Sequence, residues 1–278
     1  MAYKTILTVI TAEDQTTQLD AAIDLTRRED AHLEVFCLGV DHSQAGYYYA
    51  GASAYVFQET IDNAMAAAEA LEKKIRTRLE AEDIRWSIDS AVAQVGGLTT
   101  LIGMRARFSD LVVLTRPYGD AAAPDAVAVT EAALFEGSAP VLIVPDAGLP
   151  ADFAQSIMIA WNQSEEAMTA VRRAMPLLAS AKQVEVTVID PSPDGPEGPD
   201  PGAALAQLLN RHGIQVDVSV LARTQSLISD ILDRHAEEIG AKLIVMGAYG
   251  HSRFRQAILG GATRNMLGKS RVPILMAR

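Results

Sequence analysis

The chain has 278 residues, 49% of them hydrophobic and 21% charged, with a net charge of −11 at pH 7. That length allows one or two domains, each able to bury a proper core. The acidic balance repels polyanions and leaves no electrostatic footprint for DNA or RNA. No run of eighteen or more apolar residues is present to span a bilayer, and the single cysteine, Cys37, rules out an internal disulfide framework. The opening stretch MAYKTILTVITAEDQ lacks the basic, apolar and small-residue regions of a signal peptide, so a cytoplasmic address is expected.

From Tyr3 the chain reads as a short apolar strand, a polar loop carrying Thr11, Glu13 and Asp14, an amphipathic helix, and a second apolar strand ending in Val40-Asp41. Cys37 lies in that second strand and reads as a packing thiol. The following stretch AGYYYAGASAYVF, Ala45 to Phe57, carries three consecutive tyrosines. It is suited either to half-buried packing on the other half of the chain or to a lid over a pocket. Ile61, Met65, Ala68, Leu71, Ile75 and Leu79 then fall on one face at the helical period. SDLVVLTRP from Ser109 and SAPVLIVP from Ser138 are two further strands. PDAGLPADFAQ, Pro145 to Gln155, is rich in turn formers and marks a boundary, giving domains 1–148 and 149–278.

The second half repeats the first. QSIMIAWNQSEEAMTAVRRAMPLLASAKQVEVTVID from Gln155 parallels the stretch from Tyr3, AKLIVMGAY parallels SDLVVLTRP, and RVPILMAR parallels SAPVLIVP. Strands are expected near Ile157–Trp161, Val184–Ile189, Gln215–Leu221, Leu243–Met246 and Pro273–Ala277, with DPSPDGPEGPDPG (Asp190 to Gly202) as an acidic loop. Their continuous Val/Ile/Leu character suits burial on both faces. Alternating strands and helices predict an α/β fold of two tandem open five-stranded parallel sheets with helices on both faces, for which the order 3-2-1-4-5 is adopted.

In that order the ligand crevice lies between strands one and four, beyond their carboxyl ends. Behind strand four stands GAYGHSRFRQAILGGATRNML, with glycines spaced Gly247-x2-Gly250-x9-Gly260 and Gly261 next. Gly247 and Gly250 permit a sharp turn and close approach to a ligand. Gly260, Gly261, Ala262 and Thr263 read as a helix start, where free N–H groups receive phosphate and the Thr263 hydroxyl adds to them. His251, Ser252 and Arg253 lie in the intervening loop as candidate phosphate contacts, with Arg255 adding charge.

This spacing resembles the universal stress protein family in its tandem form, whose nucleotide-binding members carry G-x2-G-x9-G-(S/T) after strand four. Gly247, Gly250 and Gly260 match, and Gly261 stands where the family has Ser or Thr. The resemblance implies an ATP or AMP ligand, with Mg2+ accompanying the phosphates, in a stress-response protein. It places Asn162 at the family's Asp after strand one, Val188 at the adenine contact ending strand two, and Ala160 on the same wall. It also implies that the fifth strands pair across a pseudo-two-fold axis inside one chain, and it leaves a homodimer of chains open. The first copy departs from the motif: Arg116-Pro117-Tyr118-Gly119 replaces the glycine turn, so one nucleotide per chain is expected.

Other signals are weaker. TRNMLGKS, Thr263 to Ser270, imitates a P-loop, but it follows a helix and precedes a strand. Lys269 there reads as a cation at a helix C-terminus. His235 shares a stripe with Leu227, Ile228, Ile231, Leu232 and Ile239 and reads as a core-edge residue. The histidine spacings give no zinc motif and no GxSxG elbow occurs. The alternatives to a nucleotide-binding regulator are a slow nucleotide hydrolase, which would need a base not evident beside the glycines, and a partner-binding protein with an empty or non-nucleotide site.

Overall fold

A computed structural model describes residues 2–42, 54–120, 122–191, 200–248 and 261–278. The chain divides into two compact units: one holds Tyr3–Leu114 with residues 122–139, the other holds Pro140–Arg278 with residues 115–121.

The first unit runs β1 (Thr5–Ile10), α1 (Thr16–Glu29), β2 (His32–Asp41), α2 (Ala54–Leu79), β3 (Arg85–Gln94), α3 (Leu98–Ala106), β4 (Leu111–Thr115) and α4 (Ala126–Glu131), which widens into a π turn over Ala132–Glu136. Its strands lie in the order β3-β2-β1-β4, and the pairs are parallel. Ile6, Leu7, Leu33, Val35, Leu111 and Val112 are fully buried along them. Such double-sided burial is what continuous apolar strands require. The inner face of α2 is Ala64, Ala68, Leu71, Ile75 and Leu79, while Met65 is 48% exposed. The expected stripe is therefore correct except at its N-terminal end. There the helix presses so closely on β2 that a Cβ at Gly39 would lie 2.2 Å from the Ala64 carbonyl oxygen, and only the small Ala64 fits inward.

The second unit runs β5 (Val141–Val144), β6 (Ser156–Trp161), α5 (Glu165–Leu178), β7 (Gln183–Ile189), α6 (Ala203–Arg211), β8 (Asp217–Leu221), α7 (Ile228–Glu238), β9 (Leu243–Gly247), α8 (Ala262–Lys269) and β10 (Ile274–Ala277). The order is β5-β10-β9-β6-β7-β8. Read from β8 to β10 this is the expected 3-2-1-4-5, with β8 starting two residues later than expected. TRNMLGKS forms most of α8 and the residue after it, so it is a helix running into a strand, not a phosphate cradle. Lys269 ends α8, its ammonium 3.6 Å from Asp230.

The first copy's fifth strand does not close a separate five-stranded sheet. β5 pairs antiparallel with β10, joining Ile274 to Ile143, Leu275 to Leu142 and Met276 to Val141. Leu142 and Leu275 follow Pro140 and Pro273 by the same two residues, so each central leucine faces its own repeat equivalent. The pairing buries Val141, Leu142, Ile274 and Leu275 and satisfies two edges that would otherwise stay open.

Candidate functional site

The crevice of the second copy opens where strand order reverses, between β6 and β9. Ala160 pairs with Met246 on β9 and with Thr187 on β7; Trp161 pairs with Val188. Trp161, Val188 and Ala248 are buried, whereas Ala160, Gly247, Gly261 and Ala262 stay half-buried and Asn162 is exposed. Small residues thus keep part of their surface at the strand ends and helix start, over a closed apolar floor.

The loop after β6 is held by its own side chains. The Asn162 Oδ1 accepts from the Ser164 N–H (3.2 Å) and the Ser164 hydroxyl (2.7 Å). Ser164 caps α5 by accepting from the Ala167 N–H at 3.1 Å. Glu165 and Glu166 in the first turn complement the helix dipole. Between Asn162 and Ser164, Gln163 sits at φ +63°, a left-handed conformation uncommon for a residue of its kind. Asn162 therefore spends its oxygen on the turn, and the amide NH2 is the group it can offer to a ligand.

Gly247 has a structural reason of its own. A Cβ there would meet the Ala167 nitrogen at 2.6 Å and the Glu166 carbonyl carbon at 2.8 Å. Its missing side chain admits the first turn of α5 against the end of β9. The Ala248 N–H donates to the Ala277 carbonyl at 2.9 Å, fixing the chain as it leaves β9. Gly250, His251, Ser252, Arg253, Arg255 and Gly260 lie outside the described residues, as do the tyrosines of 47–49.

Gly261 is the N-cap of α8, at φ −63° and ψ 162°, with no side-chain cap. A glycine at the N-cap offers no side chain to the first-turn N–H groups. Thr263 is buried at 6% exposure, so its hydroxyl is less accessible than the sequence suggests. Residues the sequence did not single out border this helix: Arg264, whose guanidinium carbon lies 5.2 Å from the Tyr118 ring centre, and Arg116, which pairs with Asp146. Nothing in a single sequence announces contacts between segments so far apart in the chain.

In the first copy the corresponding loop meets its polar groups from within. The Gln15 Oε1 accepts from the N–H groups of Thr11 (2.7 Å) and Ala12 (3.0 Å). Gln15 donates to the buried Gln18, which donates in turn to the Thr8 hydroxyl and the Val9 carbonyl. Lys74 donates to Glu13 at 2.7 Å and holds that carboxyl below its usual range. Cys37 pairs with Ile10 as Val188 pairs with Trp161, and burial pushes its thiol up to about 12. At the start of α4 the N-cap is Asp125, a carboxylate where an anionic ligand would have to sit.

His235 is buried, as expected, and it has a carboxylate partner: its Nε2 lies 2.5 Å from the Glu185 Oε1, which also accepts from the Thr187 hydroxyl at 3.2 Å. Among the described residues no group of His, Cys, Asp and Glu could hold a metal ion, and no helix is long and apolar enough to cross a membrane.

Residues 154–278 match the family described as the universal stress protein family. The curated universal stress protein Slr1230 of Synechocystis sp. is 31% identical over 72 residues, 26% of this chain and 24% of that protein. The match therefore spans about a quarter of that relative's length. Among solved structures, a universal stress protein from Archaeoglobus fulgidus superposes with a TM-score of 0.72 at 13% identity, covering 99% of this chain and 98% of that one. A functionally unknown protein from Pseudomonas aeruginosa gives 0.59 at 15% identity, covering 99% and 92%. At those identities the likeness carries the fold.

Proposed function

We propose that this chain, whose residues 154–278 match the universal stress protein family and which shares the fold of such a protein along its length, is a stress-response binding protein that holds one adenine nucleotide, ATP or AMP, in its second copy. The observation that carries this reading is the start of α8 at Gly261, a glycine N-cap beside the half-buried Ala160 and Gly247 at the strand-order switch. The residues fit the group. The N–H groups of the first turn would receive phosphate, the Asn162 amide would reach a ribose hydroxyl or base edge, and Val188 with Ala160 would flank the base. Gly250, Gly260, His251, Ser252 and Arg253 enter the same reading through their place in the motif. With ATP, Mg2+ would ride on the phosphates.

The first copy's loop after β1, whose Thr11 and Ala12 N–H groups are taken by Gln15, supports a stoichiometry of one. Calorimetric titration of the full chain with ATP, ADP and AMP, with native mass spectrometry of fresh protein, tests this. One site per chain is expected; two equivalent sites, or none for any of the three, would overturn the reading.

A further inference from the structure

The first copy's loop after β4 has lost the glycine turn, yet it is built with care. Pro117 is buried and fixes its own φ, and Gly119 sits at φ +115°, a conformation that suits glycine. Between and beside them, Arg116 and Tyr118 both reach α8. We propose that this loop is a positioning element for the binding site of the second copy: Arg116 braces the C-terminal end of α8, and Tyr118 holds the Arg264 guanidinium beside the N-terminal end, where it reads the charge of a bound phosphate. The proposal rests on the nucleotide reading above for its ligand.

Arg116 is 20% exposed at its side chain. Its Nε donates to the Asp146 Oδ1 at 3.1 Å, and its Nη2 pairs with the other carboxylate oxygen. This two-point contact fixes the guanidinium plane. The remaining Nη1 approaches the Gly268 carbonyl at 3.4 Å, in the last turn of α8. A cation suits that end, where the helix dipole leaves partial negative charge. The Tyr118 Cβ lies 3.7 Å from where a Gly268 side chain would begin. Arg264 and Gly268 are four residues apart, so they share one face of the helix. Tyr118 thus lies along that face, and its ring meets Arg264 within cation–π distance.

Helical side chains lean toward the N-terminus of their own helix. Arg264 is three residues past the Gly261 cap, so the first turn, where phosphate would bind, is within reach of its long side chain. Lacking a support, an exposed arginine there would sample many rotamers. Held on the Tyr118 ring, it presents a fixed charge. In a chain of net charge −11 a fixed cation at the anion site has real effect on an incoming nucleotide.

The test uses the full chain and its Y118L, Y118F, R264Q and Y118L/R264Q variants, titrated with ATP and with adenosine. Y118L and R264Q are each expected to weaken ATP roughly three- to tenfold and to leave adenosine unchanged. Y118F should bind as the wild type does, and the double variant should be no weaker than R264Q. Wild-type ATP affinity in Y118L would overturn the proposal. So would an equal loss for ATP and adenosine, which would mean general damage to the helix. Should the wild type bind neither ligand, the nucleotide reading falls by itself. The wild type, Y118L, R264Q and the double variant then form a denaturation cycle, in which coupling between Tyr118 and Arg264 sustains the brace and additive effects dismiss it.

Discussion

Two loops that hold the same place in the repeat satisfy their backbone groups in different ways. After β1, Gln15 turns back on the chain and takes the N–H groups of Thr11 and Ala12, braced from below by Gln18. After β6, Asn162 and Ser164 make a smaller turn and leave Asn162 exposed. The strands beneath are nearly interchangeable: Ile6 pairs with Leu111 as Ile157 pairs with Leu243. The difference lies in which side chains consume the backbone donors at the strand ends. The first copy satisfies them internally and has the acidic Asp125 at the N-cap of its last helix, where the second has Gly261; neither makes a side-chain cap bond.

The sharpest contrast between the copies is a buried carboxylate with two different partners. Glu34 pairs with Leu7 and Glu185 with Met158, the same register in each repeat. Glu34 is met by Arg105 at 3.2 Å in a half-buried setting, and Glu185 by His235 at 2.5 Å in a buried one. Removing one partner of a buried pair strands the other. His235→Ala is expected to cost about 3–5 kcal/mol in urea unfolding, and Arg105→Ala about 1 kcal/mol. Equal costs would erase the distinction.

The end of the fourth strand breaks the symmetry next. Thr115 follows Leu111 by four residues, as Gly247 follows Leu243. In the second copy that place touches the backbone of Glu166 and Ala167, which cannot swing aside as a side chain would. Gly247→Thr should therefore cost about 2–3 kcal/mol or more. Thr115→Gly should cost only about 0.5–1 kcal/mol, the penalty of a glycine in a strand. Unfolding midpoints of the two variants decide it. Any loss of nucleotide binding in a Gly247 variant must be read against this loss of packing.

The third difference is at the helix start. Gly261 has φ −63°, so a serine there meets no backbone strain. Serine is a preferred N-cap and would bring a hydroxyl to the phosphate. Gly261→Ser is expected to tighten ATP by about 1–2 kcal/mol, roughly five- to thirtyfold. Thermal shift with excess ATP reads it. An unchanged shift would mean the phosphate does not rest on α8.

Much of this was legible in the sequence because strands buried on both faces must be apolar throughout. The repeat and its buried strands followed from Leu243-Ile244-Val245-Met246 and its counterparts, and the switch point followed from the order 3-2-1-4-5 adopted for them. The β5–β10 pairing followed from the family resemblance, not from the residues themselves. What stayed hidden was long-range and polar. A stripe of apolar residues suggests that His235 is buried but not that Glu185, fifty residues away, waits for it. Glycine spacing suggests a ligand at Gly247 but not that α5 needs the same space. Arg116 and Tyr118 read as motif decay until their contacts with Asp146 and Arg264 are seen.

The smallest expected effect concerns Asp233, on the helix that carries His235. Ile102 and His235 are both buried in their helices, and two residues before them stand Thr100 and Asp233, neutral in one copy and acidic in the other. Burial raises the Asp233 pKa above the usual carboxylate range; the Ser270 hydrogen bond opposes this, the neighbouring Asp230 and Glu237 add to it, and Lys269 partly offsets them. A carboxyl whose folded pKa is raised binds its proton more tightly in the native state. Its favourable contribution is therefore present at low pH and is lost as pH rises from the unfolded value through the folded one. At neutral pH the ionised group is a small burden. Asp233→Asn removes the charge and keeps a partner for Ser270, so it should stabilise the chain by about 0.5 kcal/mol or less at pH 7. The gain should vanish below about pH 4, where the native aspartate is itself protonated. Urea midpoints for the wild type and the variant at both pH values check the sign. A gain that grows on acidification would mean that Asp233 is held in its charged form, with Lys269 outweighing burial.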